Sequence, residues 1–266
     1  DRIFDYLGVK SKEFDKFKEI ENEIVHFKKV RFTDGEKYEE IKKKIEIIKN
    51  KPKYGEKLDD LFRGGNREEY DKQLKLFDSA GIYEANGQKI KIKYLANHYY
   101  LPVIVSETEK IDYLNHIINV DSEVKFIEQL EEYLANPDNI FKKFDWWMFS
   151  KIDQTLDEVY IPYYNPKENN IAKFKPDFIF WLQKGNEYTV LFVDPKGTEY
   201  TDGYRKIDGY SKIFETEENK ESKIFSLNGL SISTKLLFKP RRGIASVLDN
   251  YKKYWFDNFA DFATKI

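Results

Sequence analysis

Hydrophobic and polar residues follow two different periods along the chain, and the change of period divides it in two. In the first part, apolar residues recur at the spacing that places them on one face of a helix. This spacing predicts helices over residues 11–29, 36–49 and 67–77, separated by the turn at Asp34-Gly35, by Pro52 and by the loop at Gly64-Gly65-Asn66. We therefore expect residues 1–88 to be a mainly helical linker or scaffold region.

A strand-like period of two begins near Ile82 and is clearest at residues 89–95, where lysine alternates with isoleucine. A helix is predicted over 121–134, with Asp121 or Ser122 as its N-cap. Three strands are predicted over 158–164, 177–182 and 188–194, and Gly185-Asn186 joins the last two as a hairpin turn. A helix over 205–214, a strand over 234–238 and an amphipathic helix over 244–259 complete the order. Residues 89–266 should thus form an α/β sandwich with a mixed central sheet flanked by helices.

Composition narrows the classes of function. The chain has 266 residues, of which 41% are hydrophobic and 17% aromatic, as expected of a folded core and not of a disordered segment. The formal net charge is only -2, so any nucleic-acid binding must come from local patches. The absence of cysteine excludes disulfides, zinc-thiolate sites and cysteine nucleophiles, and it favours a cytoplasmic location.

Three other patterns are missing from the sequence. No GxxxxGK[ST] motif occurs, so the chain has no P-loop site for ATP. The three histidines, His26, His98 and His116, are scattered, which argues against a zinc hydrolase. No apolar stretch is long enough to span a membrane. The chain begins at Asp1 and not at an initiator methionine, and we expect it to be a fragment of a larger protein.

Two carboxylates and a lysine are the candidate chemistry. Asp177 opens one apolar strand and Asp194 closes the next, so a hairpin places both at the same corner of a sheet. Carboxylate oxygens are ligands that Mg²⁺ prefers, and Mg²⁺ can activate a water and neutralise a phosphodiester. Lys196 lies two residues beyond Asp194, on the same side of the strand, where it can stabilise an attacking hydroxide.

These residues carry a family resemblance. Pro176-Asp177, an apolar hairpin and Asp194-Pro195-Lys196 resemble the motif of the PD-(D/E)xK nuclease superfamily. The neighbouring segments are similar to the C-terminal nuclease portion of type III restriction enzyme R subunits and related DEAD/DEAH helicase-like proteins; they are Asn97-His98-Tyr99-Tyr100-Leu101-Pro102, Ser122-Glu123, residues 146–151, residues 174–178 and residues 204–210. The resemblance covers about residues 92–214 and implies a restriction-endonuclease-like core and Mg²⁺-dependent cleavage of DNA. The middle acid is Asp where the family more often has Glu.

The resemblance also implies further site residues. Glu123 takes the place of the family's extra acidic residue at the metal, with Glu128 as the competing choice and a first-turn acid beside the helix dipole as the structural alternative. Lys206, and with less support Tyr210, occupies the helix that follows the motif, although a lysine at such a position is more often simply an exposed helix lysine. The carbonyl of Pro195 could complete the metal shell.

The implied partners are DNA, an upstream ATP-dependent helicase motor in the same polypeptide, and a methyltransferase or specificity subunit. The basic turn at Lys239-Pro240-Arg241-Arg242-Gly243 could contact phosphates or be a solvated loop, whereas Trp146 and Trp147 should belong to the core. A catalytically silent DNA-binding or scaffolding domain of the same fold is the alternative function. A repair or RNA-directed nuclease is a third.

Overall fold

The computed structural model describes residues 35–50, 60–61, 63–85, 88–93, 95, 97–98, 103–106, 118, 120–152, 159–195, 202–240 and 247–266. The helix predicted over 11–29 lies outside the described residues. So do Pro52, His26, His116, Lys196 and the Arg241-Arg242-Gly243 part of the basic turn.

The first part combines two helices with a small sheet. Helices α1 (Gly35–Asn50) and α2 (Arg67–Ala80) confirm the predictions over 36–49 and 67–77. Strands β1 (Ile82–Ala85), β2 (Gln88–Lys93) and β3 (Val103–Ser106) form an antiparallel sheet in the order β1-β2-β3. The β1–β2 hairpin spans residue 88, where the sequence predicts a boundary between regions, so that division stays a prediction.

The second part contains the larger sheet and most of the helices. Its elements are α3 (Asp121–Ala135), a 3₁₀ helix (Ile140–Lys143), β4 (Trp146–Lys151), β5 (Ile161–Asn165), β6 (Asn170–Phe174), β7 (Phe178–Lys184), β8 (Glu187–Asp194), α4 (Asp202–Phe214), β9 (Phe225–Leu227), β10 (Leu230–Phe238), a second 3₁₀ helix (Asp249–Tyr254) and α5 (Phe259–Lys265).

Five of these strands form one mixed sheet in the order β4-β7-β8-β10-β9. All neighbours in it are antiparallel except β8 and β10, which run parallel because α4 carries the chain back between them. Strands β5 and β6 form a separate two-stranded hairpin. The chain is therefore a mixed α/β protein with a mostly antiparallel central sheet, and the predicted strand over 158–164 lies in the separate hairpin and not in that sheet.

The sheet is buried on both faces, and alternate residues of β7 divide between two hydrophobic clusters. Phe178, Phe180 and Leu182 pack with residues of α3 and α5. Ile179 packs on the opposite face with Ile207 of α4. Because successive side chains of a strand point to opposite faces, a run of apolar residues is what a strand between two helical layers requires.

The end of the chain differs from its prediction. The prediction of an amphipathic helix over 244–259 is wrong, because a 3₁₀ helix ends at Tyr254, Trp255 is extended, and α5 begins only at Phe259. The side chain of Asn258 accepts a hydrogen bond from the N–H of Asp261 and so caps α5. Trp255 and Phe256 are buried in different clusters, so this apolar run serves both faces of the sheet and not one face of a helix.

The predicted N-cap of α3 is also wrong by one or two positions. Val120 is the N-cap, and its carbonyl accepts hydrogen bonds from the N–H groups of Glu123 and Val124. Asp121 lies inside the helix, where its carboxylate pairs with Lys125 at 2.8 Å instead of capping the backbone. This places Glu123 in the first turn of α3, facing the sheet.

We predict that Phe180→Ala lowers the free energy of unfolding by about 3–5 kcal/mol, since Phe180 is fully buried and its ring lies 5.2 Å from that of Phe149. Phe225→Ala is the matched control, because Phe225 is 44% exposed and its loss should cost less than about 1 kcal/mol. Urea unfolding followed by circular dichroism measures both. Equal effects of the two substitutions would contradict the assignment of Phe180 to the core.

Candidate active site

The register of the central strands brings the two predicted aspartates together. The β7–β8 ladder ends at the pair Phe178 and Val193, so Asp177 and Asp194 follow it directly on the two neighbouring strands. The N–H of Ile152 donates to the carbonyl of Asp177 at 2.8 Å. The N–H of Lys239 donates to the carbonyl of Asp194 at 3.0 Å, which extends the parallel β8–β10 pairing. Both aspartates are buried, at 3% and 6% exposure.

A lysine that the sequence analysis did not single out joins this corner to helix α3. The ammonium of Lys151, at the end of β4, lies 3.0 Å from Oε1 of Glu123 and 3.2 Å from Oδ1 of Asp177. The Lys151 side chain is only 13% exposed, and Glu123 is buried at 2%. Removal of one partner of a buried ion pair is strongly destabilising, and here a single lysine serves two carboxylates.

The geometry also decides between the two glutamates of α3. Glu123 shares Lys151 with Asp177, whereas Glu128 pairs with Lys91 of β2 at 3.5 Å and is 40% exposed. Five residues of helix correspond to about one and a third turns, which turns the two side chains to different sides of α3. Glu123 is therefore the α3 acid at the candidate site, and Glu128 contacts the smaller sheet.

The predicted residues after the hairpin lie in several places. Pro195 is buried directly beyond Asp194, and Lys196 lies outside the described residues. The ammonium of Lys206 lies over the Phe174 ring, 4.5 Å from its centroid, and among the described residues no carboxylate pairs with it. Tyr210 is a core residue at 1% exposure, and burial raises the pKa of its hydroxyl well above the usual range.

Lys151 could have been found from the period of two along residues 146–151. That period places Trp147, Phe149 and Lys151 on one face, and the register opposes Phe149 to Phe180 and Lys151 to Phe178. Trp147 stacks on Phe141 with ring centroids 4.2 Å apart, which confirms its predicted core role. A lysine that continues an apolar face must reach a charged partner or solvent. The sequence does not reveal that the partners come from α3 and from the start of β7.

The site has the donor types that Mg²⁺ prefers, but the acids are not assembled around a common point. Glu123, Asp177 and Asp194 supply carboxylate oxygens, and the backbone of Pro195 supplies a carbonyl. Across the described ranges, no group of three or more histidine, aspartate or glutamate side chains lies close enough to hold a metal ion. The ammonium of Lys151 lies between two of the three acids, so a cation would have to displace it from at least one of them.

Comparison with known proteins gives one match. A family profile described as the YagJ family matches residues 114–237, which is a little less than half of the chain. The matched range contains Glu123, Lys151, Asp177 and Asp194 and ends within β10. No curated protein and no solved structure matches the chain.

The helices were also compared with the length and hydropathy that a membrane span needs. None of those in the described part of the chain is both long and apolar enough to cross a bilayer.

We predict that Lys151→Met in EDTA lowers the free energy of unfolding by about 3–5 kcal/mol at neutral pH, because Glu123 and Asp177 lose the cation they share. The folded variant should then bind protons more tightly than its unfolded chain does. Since folding takes up protons, the variant regains stability as the pH falls toward about 4 and loses it as the pH rises.

Lys125→Met provides the control, because Lys125 is 65% exposed and its pair with Asp121 should contribute less than about 1 kcal/mol at any pH. Denaturant titrations over a series of pH values measure both variants. A Lys151→Met loss as small as that of the control would mean that the Glu123–Lys151–Asp177 contact is not a buried ion pair in solution.

Proposed function

We propose that residues 89–266 are a Mg²⁺-dependent endodeoxyribonuclease domain with a restriction-endonuclease-like core. The observation that carries this proposal is the placement of Asp177 and Asp194 at one end of adjacent central strands, with Glu123 linked to Asp177 through Lys151. The mixed sheet with helices on both faces is compatible with such a core. The motif Pro176-Asp177…Asp194-Pro195-Lys196 supplies the link to phosphodiester hydrolysis.

In the proposed enzyme, Asp177, Asp194, Glu123 and the carbonyl of Pro195 would hold the metal. When bound, Mg²⁺ supplies a Lewis acid that activates water and neutralises the charge of the scissile phosphate. The buried positions of the acids keep bulk water from competing for their oxygens and hold them in fixed directions. Lys196 stabilises the attacking hydroxide, and Lys206 contributes from α4.

Lys151 has a separate role in this proposal. It compensates the charges of Glu123 and Asp177, and a divalent ion held between these two acids would have to compete with it. Because two cations close together repel each other, the Lys151 ammonium and Mg²⁺ would compete for the site.

The wider assignment follows the resemblance. The domain is proposed as the cleavage module of a helicase-nuclease similar to type III restriction enzymes, with an ATP-dependent motor upstream and a methyltransferase subunit that provides sequence specificity. The basic residue Lys239 lies directly beyond β10, next to the carbonyl of Asp194, where DNA phosphates would approach the acidic corner.

A second candidate function is supported by a specific observation. The Lys151 ion pairs satisfy two of the acids, and the described residues contain no preassembled metal cluster. A catalytically silent domain that keeps the fold and binds DNA or a partner would have this arrangement permanently.

The nuclease proposal predicts that Asp177→Asn and Asp194→Asn each reduce Mg²⁺-dependent cleavage of plasmid DNA by about 100-fold or more. Loss of a ligand removes several kcal/mol of charge stabilisation, and each 1.4 kcal/mol is about tenfold in rate. Asp138→Asn is the control. Because Asp138 is exposed in the turn after α3, this variant should cleave DNA as the wild type does. Gel electrophoresis of products with Mg²⁺ and with EDTA measures the rates.

Calorimetric titration of Mg²⁺ separates the two functions when no cleavage is seen. The nuclease site should bind Mg²⁺ in the wild type, or in the wild type with DNA, and lose that binding in Asp194→Asn. DNA binding in EDTA, with neither metal binding nor cleavage under any condition, would favour the silent domain.

A further inference from the structure

A cavity lies on the far side of β10 from the acidic corner, at an edge that β9 covers only in part. β9 pairs with Leu230, Ser231 and Ile232, and Trp255 is bridged to Phe238 at the other end of β10. Between them, no strand of the described part of the chain pairs with residues 233–237 on that side. The end of α4, the second 3₁₀ helix and α5 surround this uncovered edge and leave a cavity of about 440 Å³. That volume is within the range of sites that bind small molecules.

Charged residues make up about half of the lining residues, and lysine exceeds glutamate among them. They are Glu215, Lys220, Glu221, Lys235, Lys253 and Lys265. Glu215 is buried, and its carboxylate is already engaged at both oxygens: Lys253 donates to Oε1 at 3.0 Å and the hydroxyl of Tyr254 donates to Oε2 at 2.5 Å. Lys265 pairs with Asp261 at 3.7 Å, so Lys220 and Lys235 are the lining lysines that remain, and Glu221 is the one lining glutamate left to balance them.

Two of the ammonium groups bond to other wall residues through backbone carbonyls. Lys235 donates to the carbonyl of Lys265 at 2.9 Å, and Lys253 donates to the carbonyl of Lys220 at 2.6 Å. These contacts place both ammonium groups at the wall of the cavity. A carbonyl accepts a hydrogen bond but carries no net charge, so it does not replace a counter-ion.

Lys235 is the lining lysine that a bound anion would stabilise most. It is half-buried, and among the described residues no carboxylate lies within ion-pair distance of it. Burial lowers the pKa of its ammonium below the usual value of 10.5. A partly desolvated cation with only a neutral partner is costly, and a bound anion would remove that cost.

We propose that this cavity is a binding site for a small anion that carries phosphate, held by Lys235 together with Lys220 and Lys253. Phosphate oxygens accept charge-assisted hydrogen bonds from ammonium groups, and lysine binds phosphate as a point charge on a flexible stem. The site is separate from the acidic corner, because Lys235 pairs with Leu191, three residues before Asp194, which is about 10 Å along the strand. It does not depend on the proposed nuclease activity.

The test is calorimetric titration of the whole chain with inorganic pyrophosphate at constant ionic strength and without metal. Saturable binding is expected, and Lys235→Met should weaken it at least tenfold. Lys184→Met is the matched control, because it removes the same charge from an exposed position at the end of β7 and should leave the affinity unchanged. No saturable binding, or equal affinity in wild type and Lys235→Met, would overturn the proposal.

Two further ligands distinguish the source of the phosphate. A mononucleoside diphosphate that competes with pyrophosphate would identify a nucleotide-sized ligand, whereas competition only by a single-stranded oligonucleotide would identify the phosphates of nucleic acid. Either outcome supports the site. If neither the nucleoside diphosphate nor the oligonucleotide displaces pyrophosphate, the ligand of the site is a free inorganic anion.

The pH dependence of the free energy of unfolding gives a second test. A lysine with its usual pKa in the folded chain would not produce the dependence expected here. Since the pKa of Lys235 is lower in the folded chain, folding releases a proton at alkaline pH, and the wild type should gain stability relative to Lys235→Met as the pH rises toward 10.5. Saturating pyrophosphate should abolish that gain, because the anion favours the charged ammonium. A gain that pyrophosphate leaves unchanged would show that the anion does not reach Lys235.

Discussion

The pairing of β7 with β8 is the constraint on which the rest of the second part depends. In the observed register Phe178 faces Val193 and Phe180 faces Leu191, so alternate residues of both strands are divided between the two hydrophobic clusters. A slip of one residue would turn every side chain of a strand to the opposite face and would also separate Asp177 from the end of β8. The same few backbone hydrogen bonds therefore fix the core and the candidate site together.

The parts of this arrangement that the sequence reveals are local. The turn at Gly185-Asn186 joins two apolar runs, and Gly185 has the positive φ of 56° that suits glycine in a tight turn, so the hairpin and its two aspartates could be predicted. The helices over residues 36–49 and 121–134 have clear periods and were confirmed. The last predicted helix failed because Trp255 and Phe256 contribute to different clusters, and periodicity alone does not show on which side of a sheet a residue packs.

Contacts between distant segments account for the rest of what was missed. Lys151 meets residues 28 positions earlier and 26 positions later in the chain, Glu123 and Asp177, and only the packing of α3 against the sheet brings the three together. Such a buried group gives no stability that apolar residues of similar size could not give, because desolvation offsets much of the attraction between the charges. What the group adds is a fixed arrangement of charges beside Asp194, and not net stability.

The formal net charge of -2 conceals two local centres of opposite sign. The acidic corner lies at the end of β8 and the lysine cavity lies at the uncovered edge of β10, roughly 10 Å apart along the strands. Two unit charges at that separation interact by about 2 kcal/mol at the effective dielectric constant of partly buried sites. The lysines therefore make ionised carboxylates at the corner less costly without neutralising them. An anion bound in the cavity would weaken that support. Direct compensation at the corner comes from Lys151, whose ammonium lies 3.0 Å from Glu123 and 3.2 Å from Asp177, because charges in contact interact far more strongly than charges about 10 Å apart.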